Sequence, residues 1–216
     1  AAQHRGGRGI LGMTTREDDI VENMFTCSSH DYVMMFSNLG RVYRRKAYEI
    51  PEGSRTAKGM NIVNILPLMA GEKITVMLPT EDVEAEKYVF MGTKKGIIKR
   101  TPLSAFKNTR RNGVIAISID DDDELCFVKM TDGNSDIVVA TKKGKAIRFK
   151  EDTVRPIGRT ARGVKALSLS NDDSVIGMEA FMDKEARILT ITQTGYGRIS
   201  MLDDYRIQSR GGKGVI

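Results

Sequence analysis

Apolar positions along this chain come in short runs. Tyr32–Ser37 and residues 88–92, 137–140 and 188–192 are each rich in β-branched, aromatic or thioether side chains, a composition that suits a pleated strand. Each run enters a brief turn: Asn38-Leu39-Gly40, Lys94-Lys95-Gly96, Lys142-Lys143-Gly144 and Thr194-Gly195-Tyr196-Gly197. Each turn opens into a second strand-like run bearing cations, as in Arg41-Val42-Tyr43-Arg44 and Ile97-Ile98-Lys99-Arg100. A glycine a few residues into a turn between two such runs predicts a β-hairpin. Further strand candidates lie at 74–78, 125–130 and 175–178, and no stretch of ten residues keeps a helical period.

The pattern repeats. Gly9, Gly59, Gly113, Gly163 and Gly214 each precede an apolar strand-like run, at spacings of 50, 54, 50 and 51 residues. Four of these five glycines end an Arg-x-x-[Arg/Lys]-Gly box, while the third box reads Thr109-Arg110-Arg111-Asn112-Gly113. An acidic turn follows the first four boxes after roughly 7 to 13 residues, at 16–19, 71–72, 120–124 and 171–173. Each period therefore reads box, strand, acidic turn, strand, loop, strand, hairpin turn, strand. Four short strands in about 50 residues predict an all-β, propeller-like fold of repeated four-stranded blades. An irregular β-sandwich would account for the strands but not for the fixed spacing.

Composition narrows the class. Hydrophobic residues at 40% and charged residues at 29% describe a globular chain with a core. No apolar run nears the ~20 residues of a membrane-spanning helix, and the polar, glycine-rich start is unlike a signal peptide. Cys27 and Cys126 lie far apart in apolar runs and are expected to be reduced core residues, with the cytosol as the compartment.

Lys and Arg outnumber Asp and Glu by 34 to 28, a net charge of +6. That excess is modest, and its distribution matters more. Residues 120–124 concentrate five acids, while cations gather at the boxes and hairpins. The six residues from Val114 to Ile119 would span ~20 Å as a strand. On that reading box and acidic turn sit at opposite ends of one strand, and the repeated boxes form a basic rim that suits a phosphate backbone.

The first box, Gln3-His4-Arg5-Gly6-Gly7-Arg8-Gly9, has a near copy at the far end, Gln208-Ser209-Arg210-Gly211-Gly212-Lys213-Gly214. Glycines let a partner approach the backbone, and Arg and Lys match phosphate geometry. The candidate phosphate contacts are therefore this first box together with Arg55, Lys58, Arg110, Arg111, Arg159, Arg162, Arg210 and Lys213. The hairpins add Arg44, Arg45, Lys94, Lys95, Lys99, Arg100, Lys142, Lys143, Lys145, Arg148 and Arg198.

Enzymatic chemistry finds no footing. Gly7-Arg8-Gly9-Ile10-Leu11-Gly12 matches the dinucleotide spacing, but a β-rich segment follows it instead of a βαβ unit. The sequence holds no phosphate-loop motif for ATP, and His4 and His30 have no partners spaced for zinc or for a Ser-His-Asp relay. The acids at 120–124 lack an EF-hand frame. No catalytic residue, metal or cofactor is assigned.

The Gln-x-Arg-Gly-Gly-[Arg/Lys]-Gly sequence resembles the GyrA box, the signature of the C-terminal domain of the bacterial DNA gyrase A protein. The repeats resemble the blades of that domain along essentially the whole chain, as do Phe36-Ser37-Asn38-Leu39-Gly40-Arg41-Val42-Tyr43 and Gln193-Thr194-Gly195-Tyr196-Gly197-Arg198. The resemblance implies a β-pinwheel over residues 1–216, whose blades exchange strands and which wraps double-stranded DNA around its perimeter. It also implies a cytoplasmic, nucleoid-associated parent enzyme of two A and two B subunits. ATP, Mg²⁺ and the DNA-cleaving tyrosine belong to other domains there, and no membrane is involved. Two departures stand out: His4 replaces a frequent arginine, and four box-to-box periods stand where the family usually has six blades, as expected for a trimmed part of the domain. The topoisomerase IV relative, with a degenerate or missing box, is the nearest alternative. A protein-interaction propeller is the alternative from another class, and 6% aromatic residues with no tryptophan speak against it.

Overall fold

The computed structural model describes residues 5–7, 9, 13, 15, 19–54, 56–81 and 86–215. Gln3, His4, Arg8 and Arg55 lie outside the described residues. The four predicted hairpins all form. They are β1 (Tyr32–Ser37) with β2 (Arg41–Lys46), followed by β3 (Ile74–Thr80), then β4 (Tyr88–Thr93) with β5 (Ile97–Pro102). After β6 (Val114–Ile115) and β7 (Leu125–Thr131) come β8 (Asp136–Thr141) with β9 (Ala146–Lys150). After β10 (Val164–Lys165) and β11 (Val175–Phe181) come β12 (Arg187–Ile191) with β13 (Gly197–Met201).

The strands assemble into sheets ordered β3-β1-β2-β6, β10-β5-β4-β7, β11-β8-β9 and β12-β13. Four strands per blade is what the repeat predicts, but the blade is not one contiguous period. The strand after the third, fourth and fifth boxes crosses to the preceding sheet: Val114 pairs with Val42, Val164 with Ile98, and Val215 with Ala146. Blades thus exchange strands, the first three sheets each borrowing an outer edge from the chain that follows. After Gly59 the expected strand is replaced by a 3-10 turn, Ile62–Asn64. β7 contacts both β3 and β11, which places these strands at the centre of the array and the borrowed strands at its perimeter.

The second sheet is buried on both faces, because it is packed between the first and the third. In β4, Val89 and Met91 join Met34, Phe36 and Val42 in the core against the first sheet. Phe90, pointing the other way, joins Ile137, Val139, Ile147 and Phe149 in the core against the third. This is the strand's period of two serving two cores. The other face of the first sheet is covered by Ile62, Ile65, Leu66 and Leu68 over Val33, Met35 and Tyr43. The fourth sheet remains largely exposed, with Leu189, Ile191 and Ile199 each at 60% or more.

Two expectations need correction. The strand after a box keeps its pairing for two residues instead of six: beyond Ile115 the chain turns inward, and Ala116 and Ile117 both donate their N–H to Gly40 O. Gly40 is required there, since it has φ +75° and a Cβ would lie 2.4 Å from Ile117 O. The cysteines are free, but Cys27 is exposed and Cys126 half-buried, so neither is a core residue.

Candidate nucleic-acid interface

The third, fourth and fifth boxes are each a short excursion held to the outer hairpin strand of the preceding sheet. For the fourth box, Pro156 bridges Arg100 and Ile157 donates to Arg100 O at 2.9 Å; on the far side Val164 and Lys165 pair with Ile98 and Ile97. The fifth repeats this on β9, with Gln208 donating to Arg148 O at 2.8 Å and Val215 pairing with Ala146. The third is held to β2 by arginine side chains: Arg44 donates to Phe106 O, Arg45 to Arg111 O and Arg41 to Asn112 O.

The last box glycine allows this docking. A Cβ on Gly163, at φ +103°, would stand 2.4 Å from Ile98 O, and one on Gly214 would stand 2.8 Å from Ala146 O. The close partner is the chain's own neighbouring strand. We therefore expect Gly163→Ala to cost roughly 2–4 kcal/mol, combining left-handed strain with a backbone clash. Gly144→Ala, at φ +81° with open space around it, should cost about 1 kcal/mol. Denaturant unfolding of both variants checks this, and equal losses would refute the docking role.

Successive boxes are also clasped to one another. Ser118, just past the third box, donates its hydroxyl to Thr160 O at 2.6 Å and its N–H to Ala161 O at 3.1 Å. Ser168 does the same with Gly211 O and Gly212 O, both at 2.8 Å. With these carbonyls engaged by protein, the loops present cationic side chains outward.

Arg5, Lys58, Arg110, Arg111, Arg162, Arg210 and Lys213 are exposed, and Arg159 is half-buried. Gly6, Gly7 and Gly9 of the first box are exposed as well. The hairpin cations divide differently. Arg45, Lys99, Arg100 and Arg148 are buried, and the reading of them as surface phosphate contacts is corrected. Arg45 supports the third box, Arg100 stands over the Tyr88 ring and pairs with buried Glu151, and Arg148 pairs with Asp136. Arg44 is half-buried over the Tyr32 ring.

Lys94 and Lys95 reach Glu124 and Asp122, and Lys143 donates to Asn171 O, so these hairpin tips lie against the acidic turns. Lys142 is exposed at the same tip as Lys143, Lys145 half-buried beside it, and Arg198 exposed on β13. Nor do the acidic turns keep a strand's length from every box. Arg162 grips Asp120 with two bonds, Nε–Oδ1 at 2.9 Å and Nη2–Oδ2 at 2.5 Å, and these hold the Asp120 carboxyl below its ordinary range. The acidic turn that follows the third box thus folds onto the fourth.

Sequence reasoning missed three exposed cations at the same edge. Arg155 and Arg206 each stand eight residues before their box glycine, and Lys165 lies on β10 just past the fourth box. Superposing the repeats would have found the first two.

A strand-exchanging β-propeller with cationic loops spaced along its perimeter defines the class. Residues 1–28, 31–80, 87–131, 135–181 and 186–216 match, as five successive repeats, the family described as DNA gyrase C-terminal domain, beta-propeller. The chain belongs to that family. It is 46% identical over 216 residues to the DNA gyrase A protein of Staphylococcus epidermidis and, equally, to that of Staphylococcus aureus, covering 99% of this chain and 24% of each relative. It thus spans about a quarter of the length of these curated relatives. Among solved structures it resembles the C-terminal domain of DNA topoisomerase IV, with a TM-score of 0.80 and 28% identity over 87% of this chain and 58% of that one. It also resembles the DNA gyrase A C-terminal domain, with a TM-score of 0.74 and 26% identity over 88% and 60%.

Proposed function

We propose that this chain binds duplex DNA along its outer edge and bends it from box to box, as the DNA-wrapping domain of a gyrase-type topoisomerase. The supporting observation is the recurrence of one arrangement: a loop pinned to the perimeter, its carbonyls turned inward and its Arg or Lys side chains exposed. Such loops offer charge to phosphates without any built site for reading a base, so binding is electrostatic and tolerant of sequence. Bending stiff DNA through a quarter turn costs roughly 1–6 kcal/mol. A rigidly spaced series of cations offsets that cost, whereas a flexible basic tail would not. On this reading the chain carries no catalytic residue and takes no cofactor. ATP-driven strand passage and DNA cleavage lie elsewhere in a parent assembly of two A and two B subunits, which works on the DNA of the cytoplasm.

Gel-shift titrations against salt and duplex length test this. With about six to eight phosphates engaged, log K should fall against log salt with a slope of about −5 to −7, at ~0.9 per phosphate. Affinity should also rise with duplex length until the perimeter is covered. A slope shallower than about −3, or strong preference among unrelated sequences of equal length, would exclude the wrapping reading.

A further inference from the structure

Lys99 is a charged side chain in an unusual place. It sits in β5 between Ile98 and Arg100, the two residues to which the fourth box is pinned, and its side chain is fully buried. No carboxylate pairs with it among the described residues. Its Nζ instead donates to three backbone carbonyls: Ala116 O at 2.7 Å, Ala161 O at 3.1 Å, and Arg159 O. An ammonium has three N–H donors, and here each has one acceptor. Two of these acceptors belong to the fourth box, and the third belongs to the segment that crosses beneath it. At the same register position β2 carries Tyr43 and β9 carries Ile147, opposite Met35 and Val139 just as Lys99 is opposite Met91. The fifth box therefore packs on an aliphatic side chain where the fourth is held by an ammonium.

We propose that Lys99 is a positioning residue for the fourth box: its buried ammonium fixes the loop that presents Arg159 and Arg162, so DNA binding there depends on the protonation of an amine that does not touch DNA. This rests on the DNA-binding reading above. Burial, and then the positive charge of Arg159, press against the ammonium and push its pKa down to about 8. Of the elements packed on it, the box brings Arg159, the segment after β6 brings the uncharged carbonyl of Ala116, and β4 brings uncharged Met91. A neutral amine has two N–H donors, so above this pKa one box carbonyl or Ala116 O loses its partner. A phosphate on Arg159 offsets the repulsion and favours the charged amine. By linkage, DNA binding then takes up protons near pH 8, and affinity falls as pH rises through that value.

The test is a ¹³C-lysine NMR titration of the whole chain, without DNA and with a saturating long duplex, alongside affinities from pH 7 to 9.5 at fixed salt. Lys99 should titrate near pH 8 in the free chain and about one unit higher in the complex, with affinity falling on the order of 3–10-fold across the range. Lys99→Arg, charged throughout, should flatten that profile, as should Arg159→Ala combined with Arg162→Ala. A Lys99 midpoint that DNA leaves unmoved, with binding evident in the same sample, overturns the positioning role alone. Absence of DNA binding by every form overturns the DNA reading and this proposal with it.

Discussion

An Asp136→Ala chain is expected to melt about 10 °C below the parent. Asp136 opens β8 at 3% exposure, and its carboxylate accepts from Arg148 Nε at 2.8 Å, from Arg148 Nη2 at 2.5 Å and from Lys150 Nζ. Arg148, also buried, reaches onward to Leu202 O, Asp203 and Tyr205 O. One carboxylate therefore anchors the guanidinium that ties the third sheet to the chain leaving the fourth, just before the fifth box. Removing it leaves the buried guanidinium with only exposed Asp203 as a counter-charge, a change that costs about 3–5 kcal/mol. At ~2–4 °C per kcal/mol for a chain of this size, that is the stated shift.

The pH dependence has a definite sign. Burial raises the Asp136 carboxyl, but hydrogen bonds from Lys150 and Arg148 outweigh it and hold the group below the ordinary carboxylate range. A depressed acid contributes stability that is complete above its unfolded pKa, ~3.9, and is lost as pH falls through the lower folded value. The gap between parent and variant should therefore be constant from about pH 5 to 7 and narrow below about pH 4. Circular-dichroism melts across that range check it. A drop of less than about 3 °C at pH 7 would mean that Asp203 and the backbone acceptors satisfy Arg148 without Asp136.

The hairpins were legible because their signals are local. Strand, turn glycine and strand lie within fifteen residues, as in Tyr32 to Lys46. The exchange of strands was not derivable from the residues themselves: Val114 pairs with Val42, some seventy positions earlier, and nothing in Val114-Ile115 names its partner. Only the family likeness implied it. The recurrence of the box glycine was also plain, but its cause was partly misread, because Gly163 and Gly214 make room for a neighbouring strand.

Cation identity was the weakest guide of all. Arg111 and Arg148 are the same residue type, yet one is exposed in a loop and the other buried in a strand. What separates them is cross-strand geometry. Asp136 lies opposite Lys150 and close enough to receive Arg148, an acid across a hairpin that marks these cations as internally matched. That signal was present in the sequence and went unused.

The last expectation concerns the acid that folds onto a box. Arg159→Glu with Arg162→Glu should weaken duplex binding on the order of 100-fold at about 0.15 M salt, because two phosphate contacts are replaced by repulsion. Asp120→Asn should act in the opposite direction and tighten binding several-fold. Its carboxylate now occupies Nε and Nη2 of Arg162 and neutralises the guanidinium, so a phosphate has to displace it to take that edge. Asp121→Asn with Asp122→Asn is the informative control. These acids line the cleft with the Lys94 and Lys95 hairpin tip, and Asp122 is paired with Lys95. Net charge alone ranks the double variant above the single one, two units gained against one. Local geometry ranks them the other way, since at a Debye length of ~8 Å a charge that touches no box is largely screened. Affinities of the four proteins on one long duplex, each first checked for unchanged β-structure, separate these accounts. If the double variant binds more tightly than Asp120→Asn, the interface responds to total charge and the boxes are not discrete contacts.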